Sequence, residues 1–262
     1  MWEKKETDPT RDPNRMTIES PQNEKLKLVR RLRERKHRDR EGLFATEGED
    51  LLAAGLAAGE QPRLLLSAAG AGLGGEEVEP ELLASVSTLG SGTRAIAVWS
   101  QRWAEAPRAA CVYLHGVGDP GNVGAIVRTA DALLGGSVAL GPDCADPFSP
   151  KAVRASMGSI FSGPPARAAI EETPAPRAAL VAHGGEGLEA LAGAATVCLG
   201  AERDGLPAEV RERCDVEVTI PLRPGGAESL NVAAAAAIAC ERVASAGKRI
   251  SSRAMREASS DA

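Results

Sequence analysis

Aromatic side chains are scarce in this chain: three Phe, three Trp and one Tyr make up 3% of 262 residues. Ala, Gly and Arg are plentiful beside them, a bias that points to GC-rich coding rather than to a function. The five cysteines, Cys111, Cys144, Cys198, Cys214 and Cys240, stand singly with no C-x-x-C pair. That spacing argues against a disulfide framework and against a zinc site, and a reducing cytoplasm fits it best. No run approaches the ~18 apolar residues of a membrane span, and the charged, proline-broken start MWEKKETDPTRDPNRM is no signal peptide. His115 and His183 stand without ligand partners at metal spacing and read as structural or solvent-facing.

What is present is ordinary globular material, 43% hydrophobic and 26% charged, in a length that suggests two domains. The net charge of −5 hides a local excess. Residues 24–40 hold nine cations, Lys25, Lys27, Arg30, Arg31, Arg33, Arg35, Lys36, Arg38 and Arg40, against Glu24, Glu34 and Asp39, a balance of +6.

Periodicity divides the chain. Residues 1–18 read as a flexible leader, polar and without period. From Ser20 one helix is expected, with Leu26, Val29 and Leu32 at helical intervals and the basic residues on the other face. Short strands and helices follow to about residue 105. Then AACVYLHGV reads as a buried parallel strand, NVGAIVRTADALLG as a helix ended by Gly135, and SVALGPD as the next strand. KAVRASMGSI and PAEVRERC read as helices; PRAALVAHGG, ATVCLGAERDG and VEVTIPL read as strands, the first two running into loops. SLNVAAAAAIACERVASA is a long helix, and residues 248–262 read as a flexible tail.

The segment GVGDPG, residues 116–121, matches G-x-G-x-x-G after a strand, with Asp143 about twenty residues on. It allows an NAD(P)-dependent oxidoreductase, or glycines that merely permit a tight turn. Three loops carry more. DPGNVGAIVRTADA places Asn122 at a helix start and Arg128 nearly two turns in; LGAERDGLP holds Gly200 and Glu202; IPLRPGGAESLNVAAAAAI has Ser229 and Asn231 around Leu230.

In this order these segments, within residues 109–245, resemble the three motifs of the SpoU (TrmH-like) RNA ribose 2′-O-methyltransferases of the SPOUT superfamily. The resemblance implies an α/β fold whose catalytic domain, residues 106–247, is a trefoil-knotted parallel sheet. It also implies S-adenosyl-L-methionine as cofactor, no metal, and a homodimer with the site at the subunit interface, so that Arg128 can serve either its own or the partner's cofactor. The matched catalytic positions are Asn122, Arg128, Glu202, Ser229 and Asn231. Cofactor contacts through largely backbone groups fall on Leu199, Gly200, Ile220, Pro221, Leu222 and Leu230, which would otherwise read as core. Glu202 alone could equally cap a helix start. Ser149, Arg154 and Ser156 match a stretch of a family member and invite a substrate role, against a polar helix start with close packing at Gly158; Asp204 reads as turn chemistry.

Residues 19–105, with the basic block followed by F-A-T-E-G, are similar to the L30e-like substrate-binding domain that often precedes this catalytic domain. RNA contact then falls on Arg30, Arg31, Arg33, Arg35, Lys36 and Arg38, the other reading being a solvated charged helix. Ribosomal RNA is favoured over transfer RNA because of the extra domain. A non-catalytic RNA-binding protein is the remaining alternative.

Overall fold

The computed structural model describes residues 17–89 and 92–260. Residues up to Gln101 with Phe148–Pro150 form one compact unit; Arg102–Pro147 with the chain from Lys151 onward form the second.

The first unit contains α1 (Glu24–Arg31), α2 (Arg35–Glu41), β1 (Leu43–Glu47), α3 (Glu49–Ala57), β2 (Leu64–Ala68), β3 (Glu76–Val78), α4 (Pro80–Ser85) and β4 (Ala95–Ser100). The strands lie in the order β1-β4-β2-β3, antiparallel except for β2 with β3. Leu26, Val29 and Leu32 share one face of the helical spacing and are buried with Leu66, Val78, Ile96 and Val98. Within this interior the Trp99 indole N–H donates to the Thr46 hydroxyl at 2.9 Å, which satisfies two buried polar groups at once.

The single helix expected from Ser20 is two helices. α1 stops at Arg31, and the Arg38 side chain, 2% exposed, explains the break. Its guanidinium donates to the carbonyls of Leu32 and Arg33, each at 2.7 Å, supplying the partners that carbonyls at a helix end lack. The leader also ends earlier than expected: Ile18 is buried, bridges Val78, and accepts from the Glu79 N–H. The rest of that leader lies outside the described residues.

The second unit contains β5 (Cys111–Leu114), α5 (Pro120–Leu134), β6 (Ser137–Leu140), α6 (Pro150–Ser156), α7 (Ser159–Ser162), β7 (Ala166–Arg167), β8 (Arg177–Leu180), β9 (Thr196–Leu199), α8 (Ala208–Arg211), β10 (Val216–Val218) and α9 (Val232–Ser260). α9 is helical through Ser260, where a tail was expected after Lys248, because nothing in the Ala-, Ser- and Arg-rich run interrupts the helix. Pro150, at the start of α6, falls within the short segment that groups with the first unit.

Six strands make one parallel sheet in the order β10-β8-β9-β5-β6-β7, consistent with the knotted fold. β5, β6 and β9 are buried along their whole length, as their uninterrupted apolar character requires. Val123, Ile126 and Val127 of α5 pack with Val232, Ala236 and Cys240 of α9 in the core of this unit. All six strands run the same way, so the loops after β5, β8, β9 and β10 leave from one edge of the sheet. Among the described residues no helix is long and apolar enough to cross a membrane.

Candidate active site

The loops at that edge are tied together by side chains far apart in sequence. Asp119 caps α5: its Oδ1 accepts the Asn122 N–H at 3.0 Å. Asn122 Nδ2 donates to Glu202 Oε1 at 2.8 Å, from the loop after β9. Asn231 Nδ2 donates to Asn122 Oδ1 at 3.1 Å, and Asn231 Oδ1 accepts the Ala233 N–H at 2.9 Å at the start of α9. Every polar atom of the Asn122 amide therefore has a partner, and three predicted site residues meet in one network. Glu202 caps no helix, since α8 begins only at Ala208. Lys151 Nζ donates to Asp119 Oδ2 at 2.6 Å, and this pairing, with the Asn122 N–H, holds the Asp119 carboxyl below its ordinary range.

The loop after β9 folds back on itself, with Ala201 and Gly205 exchanging two backbone hydrogen bonds. A Cβ on Gly200 would lie 2.0 Å from the Gly205 carbonyl carbon, so only glycine permits this closure. Asp204 sits exposed within that turn.

Beside the network lies a cavity of about 290 Å³, near the lower bound of small-molecule sites at roughly 300 Å³. Leu199, Gly200, Glu202, Ile220, Leu222, Ser229 and Leu230 line it, so most predicted cofactor residues and two predicted catalytic ones share one hollow. Pro221 is exposed and does not line it. The lining also includes residues that sequence reasoning missed, His183 and its neighbours Leu180–Ala182, together with Arg203 and Glu228. No local pattern marks them: the loop after β8 opens on this edge because β8 lies parallel to β9 in the sheet. The N–H groups of Ile220, Leu222 and Leu230 make no hydrogen bond within the described chain. These unspent donors fit a ligand with a planar, hydrogen-bonding ring, and the Glu202 and Glu228 carboxylates fit one that also carries positive charge.

Arg128 stands apart from the network. It is exposed on α5, and its guanidinium makes neither a hydrogen bond nor an ion pair among the described residues. Ser229 is likewise exposed and without a side-chain hydrogen bond among the described residues. Ser156, by contrast, is fully buried and donates to the Val153 carbonyl at 2.7 Å, so its hydroxyl belongs to the helix rather than to a substrate.

The basic residues of the first unit divide. Arg33, Arg35 and Lys36 are exposed, and Arg30 and Arg31 are half-buried. Arg38 is buried and its guanidinium is occupied, which removes it from the RNA-contact set expected from sequence.

Other chemistries find less support. The Asp119 carboxylate already occupies the first turn of α5, where a dinucleotide pyrophosphate would have to bind. Burial pushes the Cys111 thiol up to about 11 and the Cys240 thiol to about 12, so neither is a thiolate at neutral pH. Among the described residues no group of three or more His, Cys, Asp or Glu could hold a metal ion.

Comparison with known proteins agrees with this geometry. Residues 109–241 match the model of the SpoU rRNA Methylase family, and residues 23–102 match the MRM3-like substrate binding domain. An uncharacterized tRNA/rRNA methyltransferase of Mycobacterium tuberculosis is 39% identical over 140 residues, 48% of each chain; the match spans about half the length of that relative. The 23S rRNA (guanosine(2553)-2′-O)-methyltransferase RlmP of Bacillus subtilis is 30% identical over 239 residues, 84% of this chain and 96% of that protein. The AdoMet-bound rRNA methyltransferase of Sinorhizobium meliloti superposes with a TM-score of 0.76 at 28% identity, covering 87% of this chain and 96% of that one. The chain belongs to the SpoU rRNA methylase family, with a substrate-binding domain of the MRM3-like kind ahead of the catalytic domain.

Proposed function

We propose that this protein transfers a methyl group from S-adenosylmethionine to a ribose 2′-hydroxyl of RNA, with ribosomal RNA as substrate. One observation carries the reading: Asn122, Glu202 and Asn231, from three separate loops, are hydrogen-bonded together beside a cavity lined by the unspent N–H groups of Ile220, Leu222 and Leu230. The likeness to the Bacillus 23S rRNA 2′-O-methyltransferase over most of both chains supports the same substrate class.

The cofactor supplies an electrophilic methyl group, so the protein's task is alignment and charge stabilisation. Ile220, Leu222 and Leu230 would hold the adenine-bearing end through backbone groups, and Gly200 keeps the facing loop closed. The network fixes Asn122 and Glu202 at the cavity edge before substrate arrives. Arg128 holds the phosphate beside the target ribose and stabilises the oxygen as it loses its proton. That proton leaves to water, because a guanidinium with a pKa of about 12.5 or above is a poor acceptor at neutral pH. With no partner among the described residues, Arg128 is suited to act in the site of a second subunit, and the active form is a homodimer.

The test is incubation of the purified protein with radiolabelled methyl donor and total unmethylated bacterial RNA, then separation of ribosomal from transfer RNA, nuclease digestion and identification of the labelled nucleoside. Label on a ribose 2′-oxygen is expected. Label on a base, or label only in transfer RNA, overturns the reaction or the substrate respectively.

A further inference from the structure

Lys151 opens onto the same network from α6. A Cβ on Gly124 would lie 2.1 Å from the Ala152 carbonyl oxygen, so α6 lies directly against the backbone of α5. A Cβ on Gly121 would meet Lys151 Cε at 2.9 Å and Asp119 Oδ1 at 2.8 Å. The lysine stem thus crosses the first turn of α5 in space that glycine leaves open, one residue before Asn122. Its ammonium uses one of three donors on Asp119 Oδ2 at 2.6 Å, while the side chain remains 57% exposed. Three residues on, Arg154 shares this helix face. It is exposed, and its guanidinium has no hydrogen bond or ion pair among the described residues. Between them Ala152 and Val153 are buried, so both cations project from the solvent side of α6. The network itself contributes only carboxylate and amide groups, and Lys151 is the cation hydrogen-bonded into it among the described residues.

We propose that Lys151 is a contact for an RNA phosphate beside the target nucleotide, that Asp119 is the positioning residue that holds it there, and that Arg154 extends the contact along the strand. Asp119 grips Asn122 and Lys151 with its two oxygens, so the distance between the amide network and the phosphate contact is set before RNA binds. The proposal rests on the RNA methylation reading.

Affinity of the full-length protein for an in vitro 23S rRNA transcript is measured across a potassium chloride series, for wild type, Lys151→Gln, Lys151→Arg and Asp119→Asn. S-adenosylmethionine binding and methyl transfer are followed in parallel. Loss of one phosphate contact lowers the slope of log affinity against log salt by about 0.7 to 0.9. Lys151→Gln is expected to show that drop with a several-fold rise in KM for RNA and unchanged cofactor affinity, and Lys151→Arg to restore most of it. Asp119→Asn keeps the wild-type slope but lowers kcat, since the cation remains while its placement is lost. Wild-type methylation together with an unchanged slope and KM in Lys151→Gln overturns the phosphate contact alone. A wild type that binds cofactor but neither binds nor methylates the transcript overturns the RNA reading, and this inference with it.

Discussion

The basic helices α1 and α2 and the loop edge of the parallel sheet are both rich in polar side chains, but they dispose of them in opposite ways. In the first unit most cations have partners nearby: Lys25 on Glu76, Lys27 on Glu24, Arg35 on Asp39, Lys36 on Glu34, Arg40 on Glu41. Arg30 and Arg33 donate to the Pro21 and Ser87 carbonyls, and Arg38 is buried in the fold. At the sheet edge the amides and carboxylates are bonded to one another, while Arg128 and Arg154 have no partner in the described chain. Charge density thus marks a region without marking its function. A cation left unpaired by a fold that pairs its neighbours is the more telling sign, since exposed ion pairs contribute little and break readily when a phosphate competes.

The largest test of this contrast is Arg128→Ala, expected to lower kcat by about 10²- to 10³-fold with the fold intact, as for removal of a donor to a developing oxyanion. Mixing it with inactive Asn231→Ala subunits is expected to restore about a quarter of wild-type activity, because half of exchanged dimers are mixed and each has one complete site. Absence of any recovery would place Arg128 in its own subunit's site.

Next in size is Arg38→Met, which keeps the bulk but strips the Leu32 and Arg33 carbonyls of their donor. Chemical denaturation should show a loss of about 2 to 4 kcal/mol. Arg35→Ala, on an exposed pair, should stay within about 0.5 kcal/mol of wild type. Equal effects would erase the distinction between the buried and the exposed cations of one block.

Packing gives a smaller effect at the other region. Gly124→Ala pushes a methyl into the Ala152 carbonyl, and the necessary backbone shift should cost about 1 to 3 kcal/mol by denaturant midpoint. The smallest effect concerns acid. The Asp119 carboxyl is depressed in the fold chiefly by Lys151, so its contribution is present above the unfolded value near 3.8 and disappears as pH falls through the lower folded value. Asp119→Asn should therefore flatten the stability profile in that acid window; an unaltered profile would mean the ion pair adds nothing.

Much of the second unit was legible before the structure. Short, largely apolar runs such as Cys111–Leu114 and Thr196–Leu199 read as buried strands from their length and the glycine-bearing turns that follow them, and Gly135 ends α5 in the left-handed conformation its position suggests. The block around Arg38 was misread because helical spacing continues across Leu32, and nothing local reveals that a guanidinium four residues into the next helix turns back onto the chain. His183, which reads as structural or solvent-facing, is exposed, and its place on the cavity wall depends on which strand neighbours β8, not on its own surroundings in sequence.

The sequence by itself determined the two-part α/β organisation, most of the elements, and the residue types of the three motifs, since these follow from local periodicity and short-range spacing. Only the tertiary structure decided which of those residues meet. Asn122 and Glu202 are 80 positions apart and Asn122 and Asn231 are 109, and their contacts exist because a parallel sheet delivers every loop to one edge. Which cations are spent inside the fold and which stand free was decided there too, because pairing depends on distances between segments that no local pattern encodes.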